Sequence, residues 1–134
     1  MKVLEVRDIH TYYGDSYVLQ GVSLSVEEGQ VAVVLGRNGV GKTTLIRSIV
    51  GFTRPRSGRV FIRGRDTTRE PSHRIAHLGV GLIPQGRHIF PSLSVEENLL
   101  LPPTVRAGGM SVSDIFVLFP NIKERLKSAG TKLS

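Results

Sequence analysis

Residues 36 to 44 read GRNGVGKTT, with three glycines, one lysine and two threonines in nine positions. Glycine at that density leaves main-chain N–H groups uncovered, and the lysine after the last glycine sets one fixed cation beside them. The run just before it, QVAVVLG, is continuously apolar and rich in valine, the pattern of a strand buried on both faces in a parallel sheet. The run just after it, KTTLIRSIVG, sets Leu45, Ile46, Ile49 and Val50 at helical spacing, with Gly51 placed to end the helix. Strand, glycine loop and helix in that order direct a helix N-terminus at the loop.

Outward from there, KVLEVRDI (2–9) and GVSLSVEEG (21–29) alternate apolar and polar residues, which predicts two half-buried antiparallel strands. After the helix, a Pro and Gly turn leads into an alternating strand from Arg59 to Arg63. A short helix is expected from about Pro71 to Leu78, because proline suits a first turn and Gly79 stands just past the end. VGLIPQ (80–85) reads as a short buried strand. From there the pattern turns to helix and loop. Ser94 with Glu97 forms a capping box for a helix to about Leu101 that the following prolines halt, Ser111 with Asp114 repeats it, and NIKERLKS adds an amphipathic turn or two. The expected fold class is α/β. An N-terminal antiparallel β layer and a central, mostly parallel sheet occupy residues 1–86, and the beginning of a helical subdomain occupies 87–134.

At 134 residues the chain is about one modest domain. It has no cysteine, so disulfide frameworks, thiolate metal sites and thiol redox chemistry are excluded. No stretch approaches the roughly 18 uninterrupted apolar residues of a membrane span. Eighteen Lys and Arg against eleven Asp and Glu give a formal charge of +7, which favours anionic partners. The arginines at 54, 56, 59, 63, 65 and 69 alternate along a strand and its turns with little aromatic interleaving, so they read as a solvated face rather than a nucleic-acid stripe. His73 and His77 are four apart on a short helix but lack a third nearby ligand, so a metal site is not expected there.

Gly36, four residues, then Gly41, Lys42 and Thr43 match the phosphate-binding P-loop. Its successive main-chain N–H groups, here from Asn38, Gly39, Val40 and Gly41 onward, form a concave cradle for phosphate oxygens. Lys42 is expected to reach the β and γ phosphates, the Thr43 hydroxyl to ligate Mg2+, and Thr44 to touch the α phosphate. ATP and Mg2+ are therefore the expected ligands. The N-K-x-D and D-x-x-G strings that a small GTPase needs do not occur, which disfavours that class.

YYG at 12–14 and PQGRHIFPSLSVEENL at 84–99 flank this loop at informative distances, and together these motifs resemble the ATP-binding subunit of ABC transporters, a P-loop NTPase. The resemblance implies that Tyr13 stacks on adenine, that Val18 makes a small apolar contact to the ring, and that Gln85 is the glutamine that meets Mg2+ and the attacking water. Gln85 would also relay closure of the site to the membrane subunits. IFPSLSVEENLL and LFPNIKERLK look most like compact subunits serving branched-chain amino acid or urea importers.

The implied partners are a second ABC ATPase subunit and permease subunits, reached through the Gln85 segment and the helical layer. The implied location is peripheral, on the cytoplasmic side of the inner membrane. No nucleic acid is expected, although a nucleic-acid-associated ABC ATPase remains an alternative reading. Leu133 and Ser134 match the first two letters of the family's LSGGQ signature. The residues that complete ATP hydrolysis are expected in a longer subunit, so this chain alone is expected to bind nucleotide without turnover and to leave the apolar faces of 31–35 and 80–83 uncovered.

Overall fold

The computed structural model describes residues 1–86, 88–102 and 107–130. The chain divides into two compact units, Met1–Gly81 and Leu82–Ser134.

The first unit is built on a long hairpin. β1 (Lys2–Tyr13) pairs antiparallel with β2 (Ser16–Glu27) through a two-residue loop whose first residue, Gly14, has φ 59. Glycine there supplies the positive φ that a tight hairpin needs to match strand twist. Both strands run further towards each other than their alternation alone predicts, because the loop closes only where Tyr13 meets Ser16. β3 (Ser57–Ile62) pairs with the other edge of β1, and β4 (Arg65–Asp66) with β3, giving a four-stranded antiparallel sheet in the order β2-β1-β3-β4.

One irregularity in β1 sets which residues reach the core. Val6 and Ile9 are both buried although three apart, which strict alternation forbids. Asp8, at φ 46 between them, forms a bulge that resets the phase, so Ile9 and Thr11 follow Val6 onto the inner face. Opposite the bulge lies Gly58, close enough that a Cβ there would sit 2.2 Å from the Asp8 carbonyl oxygen.

The inner face is covered by α1 (Lys42–Ile49). Leu45 and Ile49, one turn apart, pack with Val6, Ile9, Leu19, Val60 and Ile62. Ile46, on the same predicted stripe, turns outward instead. A buried hydroxyl chain also fixes α1 to β1: Ser48 donates to the Thr44 carbonyl at 2.8 Å, and its Oγ lies 3.1 Å from that of Thr11. α2 (Ser72–His77) begins after Pro71 and ends before Gly79 at φ 88, with Ile75 buried as its anchor.

The central parallel sheet does not form among the described residues. The runs 31–35 and 80–85 carry no strand pairing, and Val31, Leu35 and Ile83 are 91%, 86% and 96% exposed. The physical reason is that a run apolar on both faces is stable as a strand only with neighbours on its edges and layers on its faces. The four strands that do form pair with one another and not with these runs. The run 31–35 is uncovered as the sequence leads one to expect, and so are Leu82 and Ile83, but Val80 is half-buried against the core.

In the second unit, α3 (Val95–Leu100) opens on a complete capping box. Ser94 Oγ accepts the Glu97 N–H at 3.2 Å and Glu97 Oε2 accepts the Ser94 N–H at 2.7 Å. Asn98 ties the preceding turn to α3, accepting the Phe90 N–H at 2.9 Å and donating to the carbonyls of Phe90 and Ser94 at 3.2 and 2.9 Å. α4 (Val112–Leu118) repeats the box with Ser111 and Asp114, and α5 (Pro120–Lys123) follows directly. Leu133 and Ser134 lie outside the described residues.

Candidate functional site

The loop at 36–44 is shaped by its glycines. Gly41 is the N-cap of α1 at φ 104 and Gly39 stands at φ 82, conformations in which a side chain would be strained. No side chain caps α1, although Ser, Thr or Asp usually does so. The helix thus starts with its first N–H groups and positive dipole end undecorated, the condition for receiving an anion there.

Gly41 also lets the loop approach β2 closely: a Cβ on it would meet Leu19 Cδ2 at 2.9 Å and Val18 Cγ1 at 3.1 Å. Thr11 pairs with Leu19 and Tyr12 with Tyr17, so Val18 is the extra residue of a bulge in β2. That bulge brings Val18 against the loop beside its in-register neighbour.

Lys42 folds back over the loop, its ammonium donating to the carbonyls of Gly36 and, at 2.8 Å, Arg37. Both acceptors are neutral carbonyls, which a charged oxygen acceptor would outcompete for the ammonium. Asn38, Val40 and Thr43 are exposed and Thr44 is buried, its carbonyl engaged by Ser48. An exposed Thr43 hydroxyl one residue from the ammonium suits Mg2+, which takes few protein oxygens and completes its shell with phosphate oxygens and water.

Tyr13 is 56% exposed at the tip of β1, on the inner face two residues beyond Thr11. Its neighbour is one that sequence reasoning did not single out: the Arg47 guanidinium lies 6.0 Å from the Tyr13 ring and 5.7 Å from that of Phe52, and its Nε donates to Thr53 Oγ1 at 3.3 Å. Nothing in a lone helical arginine signals that contact, which depends on hairpin length and helix position together. Gln85 is exposed in the second unit, where its carbonyl accepts from His88 Nε2 at 2.9 Å. The first unit thus brings Val18 and the loop residues together and sets Tyr13 beside α1.

A family model described as ABC transporter matches residues 19–134. The high-affinity branched-chain amino acid transport ATP-binding protein BraG of Pseudomonas aeruginosa is 32% identical over 96% of this chain and 57% of its own length. The lipopolysaccharide export system ATP-binding protein LptB of Acidithiobacillus ferridurans is 36% identical over 74% of this chain and 41% of its own. Among solved structures, an ATP-binding cassette of an ABC transporter in its ADP conformation superposes with a TM-score of 0.78 at 28% identity, covering 100% of this chain and 59% of that one. The chain spans somewhat over half the length of BraG and of that cassette. With the glycine loop, the bare helix end and the antiparallel layer in place, this chain belongs to the ABC transporter family, within its ATP-binding cassettes.

Proposed function

We propose that the chain binds ATP with Mg2+ at residues 38–44 and forms part of the ATP-hydrolysing subunit of an ABC importer, with a branched-chain amino acid or related small solute such as urea as cargo. The observation that carries the binding step is α1 beginning without any side-chain cap behind a glycine at φ 104. In this reading the first N–H groups of α1 hold phosphate oxygens, and Lys42 leaves its two carbonyls for the β and γ phosphates. Thr43 shares Mg2+ with the phosphates and Thr44 lies at the α phosphate. Tyr13 offers its ring face to adenine with Val18 as an apolar wall. Gln85 serves Mg2+ and the attacking water once a second cassette closes on the first, and passes that state to permease subunits at the membrane face. BraG supports the amino acid assignment as a branched-chain amino acid transport protein, whereas LptB shows that relatives of comparable identity serve other cargo.

The test is equilibrium ATP binding by the chain and by its Lys42→Ala variant. Loss of the charge-assisted contact should weaken binding at least about tenfold. Unchanged affinity would overturn the reading. A second reading is nucleotide binding without turnover. It predicts ATP binding by the isolated chain with no phosphate release, and steady release from it would exclude this second reading.

A further inference from the structure

A cavity of about 270 Å3 lies between the turn before β3 and the segment after β4, and its lining includes Arg56, Gly58, Arg59, Asp66, Thr68 and Arg69. None of these residues belongs to the 36–44 loop. Three arginines and one aspartate line it, and the aspartate carboxylate is already engaged. Asp66 accepts from the Thr68 N–H at 3.0 Å, from the Thr68 hydroxyl at 2.6 Å and from Arg59 at 3.2 Å. The Thr68 bonds first, and Arg59 after them, hold its carboxyl below the ordinary 3.8, so it remains an anion whose charge Arg59 answers.

Arg56 and Arg69 are left without an acidic partner among the described residues. Arg56 is held in place by stacking: its guanidinium carbon lies 3.9 Å from the centroid of the Tyr12 ring, and Tyr12 in turn stacks on Tyr17 at 4.6 Å and 6°. A guanidinium held over a ring has already given up side-chain freedom, so it loses little more when an acceptor arrives. The sequence alone read these arginines as a solvated face, because the fold has to bring residues 56 and 69 to one cavity before they can act together.

We propose that this cleft binds a phosphate-class anion, a phosphomonoester or phosphodiester group held by Arg56 and Arg69. Two guanidiniums without a counter-charge suit a group with several charged oxygens, and the cavity is compact enough for a headgroup rather than an extended peptide. A free small phosphoester and a lipid headgroup present the same chemistry, and the test separates them.

The test uses the 134-residue chain carrying Lys42→Ala, which weakens the loop site, and follows the amide signals of residues 56–59 and 66–69 separately from those of 36–44. Inorganic phosphate is titrated at low salt with amide shifts as the readout, and phosphatidylcholine vesicles with and without phosphatidylglycerol are sedimented with the protein. Saturable binding is expected, weakened about tenfold by Arg69→Gln, a change at an exposed residue that leaves circular dichroism unaltered. Arg63→Gln, which removes the same charge outside the cleft, should leave it in place. Binding to phosphate alone assigns a small phosphoester, and binding to phosphatidylglycerol vesicles assigns a headgroup. No saturable binding to either probe, or equal weakening by Arg69→Gln and Arg63→Gln, overturns the proposal.

Discussion

Asp8 and Gly58 show how one residue pair sets what a whole strand presents. The bulge at Asp8 needs its positive φ, held in part by the Asp8 N–H donating to Ser23 Oγ at 2.9 Å, and it needs bare backbone across from it. Gly58, at φ 84, supplies that: an added methyl would stand 2.2 Å from the Asp8 oxygen and 2.6 Å from that of Arg7, both main-chain atoms that cannot swing aside. Gly58→Ala is therefore expected to destabilise the first unit by at least about 2 kcal/mol, combining backbone strain with overpacking. Urea unfolding measures this, and a midpoint equal to that of the parent would show that the bulge is not constrained as described. At this scale the sequence was legible wherever a residue type carries its own geometry. The glycines of 36–44 announced a loop of positive φ ahead of a helix, and Gly39 at φ 82 and Gly41 at φ 104 before α1 are that loop. The Asp8 bulge was not legible, since the phase slip between Val6 and Ile9 becomes visible only once β3 is known to lie alongside.

Between elements, the join of α1 to β1 rests on an asymmetric pair of hydroxyls. Thr11 is 0% exposed and among the described residues its hydroxyl meets only Ser48, whereas Ser48 also bonds to the Thr44 carbonyl. Removing Ser48 leaves a buried hydroxyl without a partner, while replacing Thr11 by its isostere leaves Ser48 satisfied. Ser48→Ala should therefore cost about 1–3 kcal/mol and Thr11→Val distinctly less, and thermal melts giving the reverse order would refute the assignment. The capping boxes make a pH prediction. The Ser94 N–H holds the Glu97 carboxyl below the ordinary 4.5, and the Ser111 hydroxyl, followed by its N–H, holds Asp114 below 3.8. Because both values are depressed in the folded state, their contribution is present above the ordinary values and is lost as pH falls through the lower folded ones. Helical circular dichroism should decline from pH 5 towards pH 2, less so in a Glu97→Gln, Asp114→Asn double variant, and a parent signal indifferent to acid would contradict the caps. Both boxes were readable from spacing because their chemistry spans four consecutive residues. The contact of Arg47 with Tyr13 joins elements far apart in the chain, so no local pattern could announce it.

Across the whole molecule, the sequence pattern of 31–35 and 80–85 describes strands that the described chain does not pair. Periodicity reports which faces a segment would bury if neighbours existed, and here the four antiparallel strands find theirs while these two runs do not. The exposed run has a measurable consequence, because uncovered valines and leucine beside unpaired backbone invite association with other chains. Replacing Val33 and Leu35 by serine should reduce self-association and hydrophobic-dye binding while leaving the unfolding midpoint near that of the parent, because neither residue packs in the core. Ile9→Ala should do the opposite, lowering stability by about 2–5 kcal/mol through the cavity it opens among Val6, Leu45 and Val60. Analytical ultracentrifugation alongside urea titration distinguishes the two behaviours. Should the serine pair lower the midpoint as much as Ile9→Ala does, residues 31–35 are buried in solution and the chain assembles a sheet beyond its four antiparallel strands.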